Sequence, residues 1–125
     1  MDQQTIRGLD AIIDIKADDA KAFVPPLSDY VNPSKGWAET EFRCFERDAP
    51  AKTFVGYWQG EPGEVSFDAW PYDEICSILE GEVGVRDEEG RVRRFSTGSG
   101  FVIPRGWKGT WITFTHARKI FVAVD

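Results

Sequence analysis

The sequence predicts an all-β sandwich or barrel preceded by an irregular arm. Three observations carry this reading. From about residue 40 onward, short runs rich in Val, Ile, Phe, Tyr, Trp and Thr alternate with turns bearing Gly or Pro. No later stretch sustains a helical period. The 125 residues are 42% hydrophobic and 14% aromatic, too apolar for a disordered chain and enough for one core.

The elements follow in order. Residues 1–37 form the arm, expected to pack on the barrel or on a neighbouring subunit. Within it 9–15 is a candidate strand and 18–23 a candidate helical turn. Pro25-Pro26 and the stretch from Asn32 to Gly36 then punctuate the chain. Residues 38–125 form the barrel. Its predicted strands are 41–47, 53–59, 65–70, 74–79, 83–86, 92–95, 101–103, 110–114 and 119–124. Between them lie turn sequences such as Gly60-Glu61-Pro62-Gly63, Glu80-Gly81, Asp87-Glu88-Glu89-Gly90, Thr97-Gly98-Ser99-Gly100 and Pro104-Arg105-Gly106. Gly81 suits a tight turn because positive φ costs little only for Gly. Pro104 ends a strand and Gly106 lets the chain swing into the next.

Charge and composition exclude several classes. The net charge of −6 argues against nucleic acid as a partner. The sequence has no apolar run of about 18 residues, so no membrane span is expected. The start, Met1-Asp2-Gln3-Gln4, lacks a basic-then-apolar pattern, so the expectation is a cytoplasmic protein without a leader. Residues 1–89 hold 20 acids and 8 bases, whereas residues 90–125 hold 1 acid and 7 bases. The later bases are interleaved with aromatic and β-branched residues, which predicts acidic strands paired with basic ones rather than a basic tail. Two cysteines, Cys44 and Cys76, and one histidine, His116, make a disulfide scaffold impossible and a zinc cage improbable.

Two spaced patterns go beyond fold class. One is Asp68-Ala69-Trp70-Pro71-Tyr72-Asp73-Glu74 followed after six residues by Gly81; the other is Gly98, five residues, then Pro104-Arg105-Gly106. They resemble the motif pair of the cupin superfamily, G(X)5HXH(X)3–4E(X)6G and G(X)5PXG(X)2H(X)3N. Gly56-Tyr57-Trp58, the Pro62-Gly63 turn and the string from Ile103 to Trp111, with Arg118-Lys119 beyond it, resemble the small single-domain branch related to EutQ-like and ureidoglycine aminohydrolase-like cupins. The resemblance covers about residues 40–124 and implies a single RmlC-like jelly-roll barrel.

It also implies a divalent metal held by three His and one Glu. This chain departs from that set. With Glu74 on the motif glutamate, the histidine positions hold Asp68, Trp70 and Gly109, the terminal Asn position holds Thr113, and Pro62 stands at the opening Gly. Imidazoles suit transition metals and oxygen ligands suit hard cations. No tightly bound transition metal is therefore expected. The only cofactor the pattern allows is a weakly held divalent cation on Asp68 and Glu74. His116 falls seven residues beyond its motif position and reads as a surface or turn histidine.

The period-2 rule places Glu74, Cys76 and Ile78 on the inner face, with Ile75 and Ser77 outside. Asp68, Trp70, Trp111 and Thr113 point inward by the same parity. Tyr57 or Trp58, together with Tyr72, Phe101 and Trp107, are rim candidates. The expectation is an aromatic-walled cavity with one or two carboxylates for a small polar ligand. An inward carboxylate must be paired, neutral or functional; Arg105, Arg118 and Lys119 are the available partners for Glu74. Three functions stay open. The first is a metal-independent enzyme using Glu74 as acid/base with Asp68 assisting. The second is a non-catalytic binding or oligomer-forming module with Glu74 tied to a buried base. The third is a divergent metallocupin. Exposed sheet edges and the arm suggest a homodimer. Gly98-Ser99-Gly100 lacks a following helix and is no nucleotide site, and Arg91, Arg93 and Arg94 read as a solvated strand face.

Overall fold

Each apolar run becomes a strand because a neighbour takes its backbone groups and a partner sheet takes its inner side chains. The computed structural model describes residues 5–125. Its strands are β1 (Ala22–Phe23), β2 (Glu39–Arg47), β3 (Thr53–Gly60), β4 (Gly63–Phe67), β5 (Asp73–Glu80), β6 (Glu82–Arg86), β7 (Val92–Ser96), β8 (Gly100–Ile103), β9 (Gly109–Thr113) and β10 (Ala117–Val124). They form two antiparallel sheets, ordered β1-β2-β3-β10-β5-β8 and β4-β9-β6-β7. This is a jelly roll, the architecture that the motif resemblance implies. Among the described residues no helix is long and apolar enough to cross a membrane.

Alternation sets the inside. On β3, Phe54 and Trp58 face inward; on β5, Glu74, Cys76 and Ile78 do so; on β10, Ala117, Lys119, Phe121 and Ala123. Val65, Val83 and Trp111 meet them from the facing sheet, and together they make the core. The predicted pairing of acidic with basic halves holds across the strands. Arg118 stands opposite Glu80 at 3.1 Å, and Arg94 pairs with Glu82. Lys108 lies 3.5 Å from Glu88 at the surface.

The outer face of the larger sheet is unusually apolar. Phe45, Val55, Val122, Ile75 and Val102 lie side by side in one row across β2, β3, β10, β5 and β8. Ile75 is 49% exposed and Val102 59%.

The arm departs from the sequence reading at its start. Residues 9–15 are not a strand: Leu9–Ala11 is a single 3-10 turn and nothing in the rest of the segment pairs. Consecutive Ile12 and Ile13 break the alternation a half-buried strand needs, and Ile6, Leu9, Ile12 and Ile13 are exposed. The helical turn occurs at Asp19–Lys21, capped by Asp18, whose side chain accepts from Ala20 N at 3.1 Å. Residues 1–4, where the arm begins, lie outside the described residues. Further on, the arm binds its own barrel at two edges. β1 pairs with β2, and Val31 bridges Ser66 on β4 with two 2.8 Å hydrogen bonds.

Gly81, between β5 and β6, has φ +84, and a Cβ there would lie 2.2 Å from the carbonyl oxygen of His116. Gly90 at the hairpin tip has φ +86 but open space around it. Gly90→Ala should therefore cost about 1 kcal/mol, the left-handed penalty alone. Gly81→Ala should cost clearly more, because the adjoining turn must also move. Urea unfolding of both variants checks the difference.

Candidate functional site

The inner face of β10 carries a lysine, and a lysine buried in a barrel must find a carboxylate. Lys119 Nζ donates to Glu74 Oε2 at 2.6 Å, and both residues are only 5% exposed. Register explains the reach. Phe121 stands opposite Cys76 and Ala123 opposite Glu74, so the four methylenes of Lys119 run past the Cys76 row toward the carboxylate. The small Ala123 leaves Glu74 room. Cys76 Sγ donates to Glu74 Oε2 at 3.0 Å, and Trp70 Nε1 to Glu74 Oε1 at 3.3 Å. Both carboxylate oxygens are thus occupied. The Lys119 ammonium also lies 4.1 Å from the Trp111 ring centre and 5.0 Å from that of Trp58.

Burial works against the charge on Lys119, but the Glu74 carboxylate beside it outweighs this and holds its pKa above the ordinary lysine value. Burial pushes the Cys76 thiol well up, and Glu74 adds to this against the pull of Lys119. Cys76 is therefore an inert thiol at neutral pH.

Above this pair lies a cavity of about 370 Å³. Its floor and walls use Trp58, Trp70, Trp111 and Phe121 from the barrel. Its mouth is lined by the arm through Phe23, Pro25, Tyr30 and Trp37. β2 supplies Glu39, Glu41 and Arg43 on one face, since i and i+2 point the same way. Arg43 Nε pairs with Glu41 at 3.0 Å and its guanidinium rests on Phe23 and Phe54. Burial raises the Glu41 pKa, Arg43 opposes the rise, and Glu74 and Glu39 add to it. Glu39 accepts from Tyr30 Oη, from Trp37 Nε1 at 2.8 Å and from Trp58 Nε1 at 2.9 Å. Burial, then the Glu39 charge, drives the Tyr30 pKa far above the usual phenol value. Tyr72 shifts the same way, by burial first and then by Glu74.

Of the residues singled out from sequence, Trp58, Trp70, Tyr72, Glu74 and Trp111 line the cavity. The others lie elsewhere. Asp68 sits on an exposed bend outside it, because β4 stops at Phe67 and the strand parity that aimed Asp68 inward no longer applies. Cys76 is behind the wall under Glu74. Thr113 is buried and accepts from Trp111 Nε1 at 3.0 Å. Phe101 stacks on Phe95 at 3.9 Å. Trp107 covers Trp70 from outside and is joined to it through Trp70 N donating to Trp107 O at 2.8 Å. Sequence reasoning missed Lys119 as a wall residue, together with Glu39, Glu41, Arg43 and the arm aromatics Tyr30 and Trp37. The signal was the i, i+2 spacing of Glu39, Glu41 and Arg43.

The metal that the fold implies does not fit these residues. Asp68 and Glu74 do not converge, and Glu74 is committed to Lys119. A side chain at position 109 would begin 2.2 Å from the Trp107 ring. Among the described residues no three His, Cys, Asp or Glu side chains form a group able to hold a metal ion. His116 is half-exposed in the turn before β10 and bonds to Glu61.

The family model for the EutQ-like cupin domain matches residues 49–121. A comparison with curated proteins finds no match. Among solved structures, the chain is similar to the Salmonella typhimurium LT2 protein assigned as ethanolamine utilization protein Q, at 26% identity and TM-score 0.61, covering 70% of this chain and 69% of that one. The Clostridium difficile EutQ protein matches at 22% identity and TM-score 0.64, over 78% and 76% of the two chains. The polyketide cyclase RemF of Streptomyces resistomycificus matches at 18% and 0.58, over 82% and 78%; these last two likenesses speak to fold alone.

The buried pair makes a thermodynamic prediction. Lys119→Met leaves the Glu74 charge buried without its cation and should cost about 3–5 kcal/mol. Glu74→Met should cost a similar amount. The double variant should be less destabilised than the sum, giving a strong coupling in a urea-denaturation mutant cycle.

Proposed function

The chain belongs to the EutQ-like cupin family, and from that premise we propose that it binds a small polar metabolite in the barrel cavity without a metal. The observation that carries this reading is the cavity itself: an aromatic wall, three inward carboxylates and a mouth rimmed by the chain's own arm. Concave, mostly apolar sites with a few placed polar groups are where small ligands bind. The buried ion pair of Glu74 favours the binding module over the enzyme. A general base must give up its charge to the proton it takes, and here a buried ammonium at 2.6 Å holds that charge in place. Glu74 serves as the counter-ion of Lys119.

Trp58, Trp70 and Trp111 report on the cavity by their emission. A panel of small polar metabolites should include at least one that shifts tryptophan fluorescence saturably and raises the melting temperature. Dialysis against a chelator should leave both effects intact. Glu74→Gln should lower stability while binding survives. A panel with no saturable response overturns the reading, and a turnover abolished by Glu74→Gln in a folded protein returns Glu74 to acid/base work.

A homodimer belongs to the same proposal, now with a specific surface. The chain carries two unpartnered apolar features, the arm residues Ile6, Leu9, Ile12 and Ile13 and the Phe45–Val55–Val122–Ile75–Val102 row. Each is what the other lacks, and a second copy brings both. Exposed apolar patches of this kind mark interaction surfaces. Light scattering should give a dimer mass, and Val102→Asp should give a folded monomer. A monomeric wild-type protein refutes the pairing.

A further inference from the structure

We propose that the ligand of this pocket is a small organic cation, an amine or a quaternary ammonium compound, with Glu39 as its counter-charge. The inference rests on the pocket reading above and narrows its substrate class.

It follows from how the charges of the cavity pair off. Glu41 has Arg43 at 3.0 Å and Glu74 has Lys119 at 2.6 Å. Glu39 is different. Its partners are a phenol and two indoles, and among the described residues no cation reaches it within ion-pair distance. Neutral donors stabilise a carboxylate without cancelling its charge. Three of them, from the arm and from β3, gather on Glu39, which leaves it the carboxylate of the cavity wall without a protein cation. An ionised carboxylate offers about four acceptor sites. Oε2 is used twice and Oε1 once, so one site on Oε1 remains open.

The walls favour the same sign. Aromatic faces are electron-rich and attract cations. The barrel already demonstrates this, because its own alkylammonium, that of Lys119, rests over Trp111 and Trp58. Asp29 lines the exposed mouth and adds negative charge along the entry path. An anionic ligand would meet Glu39, Glu41 and Glu74 together, with both nearby cations already engaged. A cavity of about 370 Å³ is at the small end of ligand sites, which suits a compact onium group.

The test uses the full chain and three shape-matched probes: choline, its neutral carbon isostere dimethylbutanol, and the anion trimethylacetate. Tryptophan fluorescence and calorimetry should show choline binding at least about tenfold tighter than the isostere, with trimethylacetate weakest. Glu39→Gln should remove the preference for choline and leave the isostere unchanged. Added salt should weaken choline alone. Should Glu39→Gln fail to fold, the three-probe comparison on the wild-type protein still decides. If the isostere or the anion binds as tightly as choline, the cation assignment is overturned while the pocket stands. If none of the three perturbs the protein at millimolar concentration while another member of the metabolite panel does, the cation assignment falls and the pocket stands; if nothing in the panel responds either, both fall.

Discussion

The ion pair between Glu74 and Lys119 sets what the interior of this barrel can be. A charge moved from water into a protein core loses several kcal/mol of solvation even after relaxation, so neither residue is tolerable alone. Each therefore dictates the other's neighbours. Ala123 must be small to leave the carboxylate space, and Cys76 and Trp70 turn their donors toward it. Trp58 and Trp111 lie where their faces meet the ammonium. The aromatic floor of the cavity is thus also the lining of the ion pair.

That arrangement explains what was legible beforehand. The barrel strands were readable because alternation and Gly/Pro turns are local signals. Trp58, Trp70, Tyr72, Trp111 and Glu74 were readable because strand parity tells which side a residue faces. Parity does not tell depth, so Cys76, Thr113, Phe101 and Trp107 were grouped with them although they pack behind or beside the wall. It also fails past the end of a strand, which is why Asp68 was misplaced. The strand expected at 9–15 failed for another reason. Its residues are apolar enough, but Ile12 and Ile13 break the alternation, and among the described residues no strand pairs with them.

The acidic face of the cavity was missed because β2 inverts the usual polarity. On an ordinary half-buried strand the charged residues face water and the aromatic ones face the core. Here Glu39, Glu41 and Arg43 face the cavity while Phe42 turns to the other side, buried where the arm strand β1 runs alongside. The arm extends the sheet beside Phe42, whose ring meets Tyr57, and brings Tyr30 and Trp37 round to satisfy Glu39 inside. A reading strand by strand treats the arm as packing material, yet it completes the pocket.

The glycine at position 109 has a consequence for any metal site in this barrel. Its hydrogen faces the Trp107 ring, which occupies the space any larger residue would need. A histidine there must displace that indole, one at 70 removes a donor to Glu74, and one at 68 sits on a bend outside the barrel. The steps at 70 and 109 thus lose a hydrogen bond or packing, and the one at 68 stays outside the cavity, so none of the three brings a ligand set nearer alone. Rebuilding a metal site in this barrel therefore takes several coordinated changes, with Trp107 moved before a side chain at 109 can enter.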